Sequence, residues 1–302
     1  METFLQAYNV GRYKRIFHDT GSSCLFSSYK LSQCSFIIVN VSVADGACKL
    51  KDPETVTLED LREKPYASIL CYPKPTADEL QNRLHELELH GVTAIEFTGK
   101  ASAFNVSILG KGCIGIVVAA QRYRQRCALK IRRVDADRAD LFHEGEMLKK
   151  ANNAGVGAAF VDASKNFLLM QLIEGDLLPV WLATVNDKAN IRQVLSEVLE
   201  QCWQLDTAGL DHGELSKAPK HVIVDYYLQP WIVDFETSSD RRKPSNVTAI
   251  CQYLTMSGGP LTKTISDVVG ERNRSSIIEA LRHYKKTQTR ESLDKLIQLC
   301  FY

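Results

Sequence analysis

The residues whose types and spacing promise the most chemistry lie between Leu210 and Glu236, in LDHGELSKAPKHVIVDYYLQPWIVDFE. Glu214 falls in a polar loop, where a carboxylate can orient a hydroxyl group or take its proton. Asp234 ends a short apolar run behind the hairpin turn DYYLQP, and a carboxylate so placed can hold a divalent cation. Two histidines, His212 and His221, stand on either side of Glu214. Imidazole is a poor ligand for Mg²⁺, which prefers hard oxygen donors.

A second group lies upstream. In ILGKGCIGIVVAA the glycines fall at Gly110, Gly112 and Gly115, with Lys111 between the first two and Val117 behind, the pattern GxGxxGxV. Glycine is needed where a tight turn brings backbone N–H groups against phosphate oxygens and a Cβ would block the approach. Alone, the pattern also suits a glycine-rich hairpin in any β sheet. Downstream of it stands Lys130, in CALKIRRVD, an AxK element with Ala128 on a β-type run. A lone strand lysine is ordinarily a solvated edge group, and the glycine loop one hairpin earlier turns that expectation toward phosphate.

The segment DADRADLFHEGEMLKKANNAG predicts a helix capped by Asp135 or Asp137 and ended near Gly155, with Leu141, Leu148 and Ala151 facing inward. Glu144 shares that apolar stripe, whereas Glu146 points elsewhere. An unpaired buried carboxylate is costly, so Glu144 needs a partner, and Lys130 is the natural one.

The elements that must position these groups read as an ordinary globular protein. The chain has 302 residues, 45% of them apolar, and its 37 basic and 36 acidic side chains nearly cancel. No global field therefore draws it to nucleic acid or an anionic membrane. No apolar run approaches the roughly 18 residues a membrane helix requires, and the start lacks a signal-peptide core. The expectation is a cytoplasmic protein with no membrane partner. Nine cysteines without a CxxC pair suit reduced thiols.

Before the proline-marked stretch EKPYASILCYPKPTADE, the run CSFIIVNVSVADGACKL suggests a strand or hairpin and TVTLEDLREK a short helix. After it, Thr76 and Glu79 form a capping box, Leu80, Leu84 and Leu87 share a helical face, Gly91 stops the helix, and VTAIEF reads as a strand. A long amphipathic helix with Ile191, Val194, Leu195, Val198, Leu199 and Cys202 in one stripe delivers the Glu214 loop. SIIEALRHYKK and ESLDKLIQLCFY predict closing helices.

Together, LGKGCIGIVV, ALKIRRVDADR, LLMQLIEG, HGELSKAPKHVIV and IVDFE…NVTAICQYL resemble a family of predicted serine/threonine protein kinases from archaea, related to RIO-type and other small atypical kinases, over about residues 72 to 256. The resemblance implies an α+β, two-lobed protein-kinase-like fold. A small β-rich nucleotide lobe would span 71–170 and a mainly helical C-lobe 171–302, behind an N-terminal extension, 1–70, of unknown role. It implies ATP and Mg²⁺, with Mn²⁺ as a substitute, and transfer of the γ-phosphate to a hydroxyl. Gly110, Lys111, Gly112, Gly115 and Val117 would cover the nucleotide. Ala128 and Lys130 would join them, with Glu144 pairing the lysine. Met170 and the backbone of Gln171, Leu172 and Ile173 would border the base.

The family's catalytic loop reads roughly HGDLSxxN, so His212, Gly213, Leu215 and Ser216 match while Glu214 replaces the aspartate. The metal-binding asparagine position falls on Pro219 or, with two residues inserted, on His221. Asp234 matches the metal-binding aspartate of the DFG element, with Glu236 where glycine usually stands. These departures leave open a non-catalytic nucleotide-binding scaffold. By analogy with relatives, an ATPase tied to RNA processing or modification stays open too, with RNA or a ribonucleoprotein as partner beside an unidentified protein substrate. TSSDRRKPSNVT reaches the next helix almost at once, with no room for a long activation segment. Its basic run DRRKPSN suits either an anionic partner or a solvated loop.

Overall fold

The structure, a computed structural model, describes residues 54–302. The strand or hairpin expected in CSFIIVNVSVADGACKL lies outside the described residues. The described chain opens with β1 (Glu54–Thr57), one 3-10 turn over Asp60–Arg62, and α1 (Tyr66–Leu70). The helix expected in TVTLEDLREK is therefore half strand. Val56 is buried between outward-facing Thr55 and Thr57, the alternation a β-branched residue favours in a pleated edge.

Next comes α2 (Ala77–Leu89), capped by Thr76, whose hydroxyl accepts from the Glu79 N–H at 3.3 Å. Gly91 leaves it at φ +70°, a left-handed turn that glycine adopts without penalty. β2 (Val92–Phe97) pairs antiparallel with β1, Val56 opposite Ile95. Residues 54–57, grouped from sequence with the N-terminal extension, thus belong to the sheet.

A short hairpin of β3 (Ala101–Ala103) and β4 (Val106–Ile108) leads into β5 (Gly110–Lys111), β6 (Gly115–Arg122) and β7 (Gln125–Arg132). Then come α3 (Phe142–Asn153), β8 (Phe160–Ala163) and β9 (Phe167–Met170). The sheet runs β1-β2-β6-β7-β9-β8, with β5 on β6, and its neighbours pair antiparallel.

The helix expected from Asp135 or Asp137 begins only at Phe142, and Asp140 supplies the side chain that accepts from the Phe142 N–H at 3.1 Å. Three aspartates in six residues compete for that role, and tertiary contact decides among them. Arg132, for instance, donates to the Arg138 carbonyl at 3.3 Å and ties down the turn between them.

The remainder is mainly helical. β10 (Gly175–Leu177), α4 (Leu178–Thr184) and α5 (Lys188–Thr207) precede a hairpin of β11 (Val222–Asp225) and β12 (Pro230–Ile232), and β10 pairs with β11. A Cβ on Gly175 would stand 2.2 Å from the Val224 carbonyl oxygen, so only glycine permits that pairing. α6 (Asn246–Met256), α7 (Pro260–Val269), α8 (Arg274–Thr287) and α9 (Arg290–Phe301) complete the mixed α+β fold. The six cysteines among the described residues are free thiols, and no described helix is long and apolar enough to cross a membrane.

Among the described residues, apolar burial forms two clusters. One joins α2 to the sheet face carrying Ile116, Val118, Leu129 and Ile131, and the other gathers α3 to α9 with Leu168 of β9. Burial of this apolar surface is the main force closing each half. Arg83, fully buried on α2, fastens the first: it donates to the Leu70 and Arg132 carbonyls at 2.7 and 2.6 Å and pairs with Glu79 at 2.7 Å.

Candidate functional site

Strand alternation turns the second sheet face toward the helical half. Directly opposed residues share a face, and the register sets Val117 against Lys130 and Ala128 against Met170. Four side chains that the family resemblance assigns to the nucleotide thus share one surface. Lys130 reaches from it to three carboxylates. Its Nζ lies 2.8 Å from Glu144 Oε2, 2.9 Å from Asp234 Oδ1 and 2.9 Å from Glu236 Oε2. Glu144 gets there because Gly145 lets α3 come close: a Cβ would stand 3.0 Å from the Ala163 Cβ. Glu146 is exposed.

The electrostatics follow from counting charge. One ammonium faces three carboxylates, so the cluster carries a negative surplus. Burial pulls the Lys130 pKa down, yet the fields of Glu144, Asp234 and Glu236 outweigh it and hold the lysine above its ordinary range. Burial pushes the Glu144 carboxyl up to about 7, with Lys130 opposing and the other two carboxylates adding to the rise. Burial also acts to raise Asp234, but Lys130 overrides it and leaves that carboxyl below the usual range.

Asp234 follows β12 with φ +71°, a left-handed conformation that aspartate tolerates better than most residues. Both neighbours are pinned. The Val233 N–H donates to the His221 carbonyl at 3.0 Å, and Phe235 is buried in the helical core. Strained backbone held from both sides is a mark of functional positions.

In the loop, Glu214 is half-exposed and its Oε2 lies 3.1 Å from His221 Nε2. On the other side of that ring, Nδ1 stands 3.7 Å from Asp234 Oδ2. The structure therefore brings Glu214, His221 and Asp234 together, one of two groups among the described residues whose ligand atoms could surround a cation. The other, Glu144, Asp234 and Glu236, already encloses the Lys130 ammonium.

His212, expected among the catalytic groups, is fully buried. Its Nε2 donates to the Val233 carbonyl at 3.1 Å, its N–H donates to Asn246 Oδ1 at 2.9 Å, and burial lowers its pKa to about 4. A neutral ring so enclosed ties the Glu214 loop to the Asp234 strand, which makes it a positioning residue. Asp211 beside it pairs with Arg242 at 2.8 Å. That commits one cation of DRRKPSN to the fold and leaves Arg241 and Lys243 exposed.

At the glycine hairpin, the Gly112 N–H closes on the Gly115 carbonyl at 2.8 Å. A Cβ on Gly110 would meet nothing within 4 Å, whereas one on Gly115 would lie 2.8 Å from the Ile131 carbonyl and 3.1 Å from Lys130 Cγ. Gly115 serves close strand packing beside the lysine, and Gly110 and Gly112 leave open backbone. Lys111 is turned outward, donating to the Tyr72 hydroxyl at 2.6 Å. Beyond β9, Gln171 is exposed and Leu172 and Ile173 are half-buried.

Two members of the site are not evident from sequence reasoning. Glu236 stands where the family pattern has glycine, and its approach to Lys130 depends on the left-handed turn at Asp234. The approach of His221 to Glu214 is equally hidden, although both residues stand out in the sequence. Neither protein-family models nor curated proteins give a match to this chain.

Proposed function

We propose that the chain is an ATP-dependent phosphotransferase of protein-kinase-like, two-lobed fold, which passes the γ-phosphate to a serine or threonine hydroxyl of a protein. The observation that carries this reading is the meeting at Lys130. Glu144, 14 residues on, and Asp234, 104 residues on, converge on the ammonium, beside a hairpin whose Gly110 and Gly112 bear no obstruction. Two separate apolar clusters, one under the sheet and one among the helices, support the two-lobed description.

The residues present suit the nucleotide and its metal. Bound ATP with a divalent cation would supply the transferable phosphoryl group and offset the negative surplus around Lys130. Glu144 holds the lysine pointed across the site, so its charge is pre-oriented. Asp234, ionised by that same lysine, offers hard oxygen to a cation. Glu214 sets one oxygen beside His221 and has the other for the acceptor hydroxyl, which it can orient and deprotonate. His212 keeps loop and strand in register.

One observation favours a second reading, a nucleotide-binding scaffold without turnover: Lys130 is fully engaged by the protein's own carboxylates, and nucleotide must compete with them. Binding and turnover separate the two. ATP at a hundredfold excess over its Kd should stabilise the parent by about 2.7 kcal/mol, read as a raised melting temperature. No shift, with no heat of binding by calorimetry, would remove both readings. A shift without transfer would select the scaffold.

A further inference from the structure

The imidazole of His221 sits between two carboxylates that treat its two nitrogens differently. Nε2 is 3.1 Å from Glu214 Oε2. A carboxylate only accepts, so a neutral ring with its proton on Nε2 suits Glu214. In that tautomer Nδ1 carries a lone pair. It is buried, without a hydrogen-bond partner in the protein, on a residue 5% exposed, and it faces Asp234 Oδ2 at 3.7 Å. Two lone pairs facing each other at low dielectric repel. The distance is too long for a hydrogen bond and short enough to be spanned by two ligand bonds of about 2.1 Å.

The other carboxylate group is filled by the Lys130 ammonium, so this gap is where a further positive charge belongs. A carboxylate on the far nitrogen of a metal-facing imidazole is a recurrent arrangement. It fixes the tautomer and raises the ring's basicity.

We propose that His221 Nδ1 and Asp234 form a nitrogen–oxygen position selective for a divalent first-row transition ion of the Mn²⁺ class over Mg²⁺, with Glu214 the outer carboxylate that orients the imidazole. Borderline ions accept imidazole readily, whereas Mg²⁺ demands oxygen and dehydrates reluctantly. The ion's part in transfer rests on the phosphotransferase reading, but its binding does not.

The test is Mn²⁺ titrated into the nucleotide-free full chain and followed by electron paramagnetic resonance. One Mn²⁺ should bind per chain, show nitrogen coupling from imidazole in the pulsed spectrum, and resist at least about a tenfold excess of Mg²⁺. His221→Asn should lose the nitrogen coupling, weaken Mn²⁺ by at least about tenfold, and narrow the preference over Mg²⁺. Glu214→Gln, at a half-exposed position, should keep the coupling and weaken binding less, which guards against a His221 variant that does not fold. Displacement of Mn²⁺ by equimolar Mg²⁺, or a parent spectrum without nitrogen coupling, would overturn the proposal. ATP turnover without that coupling would sink this inference alone. Nitrogen coupling in a protein that does not bind ATP would sink the phosphotransferase reading alone.

Discussion

Asp234→Asn should lower phosphate transfer by about a thousandfold, or about 4 kcal/mol of transition-state stabilisation, while leaving the protein folded. The substitution removes the charge that would hold the cation and keeps the shape of the side chain. Asparagine tolerates the left-handed backbone at φ +71° as well as aspartate does, so no new strain enters. Alanine there would add about 1 kcal/mol of backbone cost and confuse the two effects. Steady-state transfer rates, compared with thermal unfolding of the same samples, check the prediction. Transfer within a few fold of the parent would show that Asp234 does not serve the reaction.

Lys130→Met has the other large effect, and it acts on the fold as well as on the site. The lysine is the common partner of Glu144, Asp234 and Glu236. Removing it strands Glu144 in the interior with only 4% of its surface exposed. Breaking a buried ion pair from one side costs about 3 to 5 kcal/mol, which urea unfolding would read as a lowered midpoint. Nucleotide stabilisation should disappear in the same variant. The double change Lys130→Met, Glu144→Gln should recover part of the stability, because the stranded charge goes with its partner, yet recover no nucleotide binding. A single variant as stable as the parent would mean that the cluster contributes no net stability.

Local pattern makes some of this visible in the sequence. The α5 stripe of Ile191, Val194, Leu195, Val198, Leu199 and Cys202 is wholly buried, because a 3.6-residue period on one helix needs no knowledge of the rest of the fold. Glu144 can be matched with Lys130 for the same reason: a carboxylate on an apolar stripe must find a cation. Other features depend on contacts distant in sequence. β1 looks helical until Val56 is set opposite Ile95.

Arg83, paired with Glu79 one helical turn away, is not singled out by the sequence. It is buried because the Leu70 and Arg132 carbonyls need a donor, and neither is near it in sequence. His212 is a plausible participant by motif alone, and only its complete burial reveals a role in holding the loop. Glu236 enters the site through a backbone turn that no periodicity encodes.

Glu214, the glutamate standing where the resembled family has aspartate, bears most directly on whether this site transfers phosphate. The decisive measurement is an assay with γ-labelled ATP and Mg²⁺ or Mn²⁺, following released phosphate and labelled protein, on the parent and on Glu214→Ala. Transfer by the parent, lost in Glu214→Ala with ATP still bound, is the predicted result. A parent that binds ATP and transfers no label with either metal would contradict it.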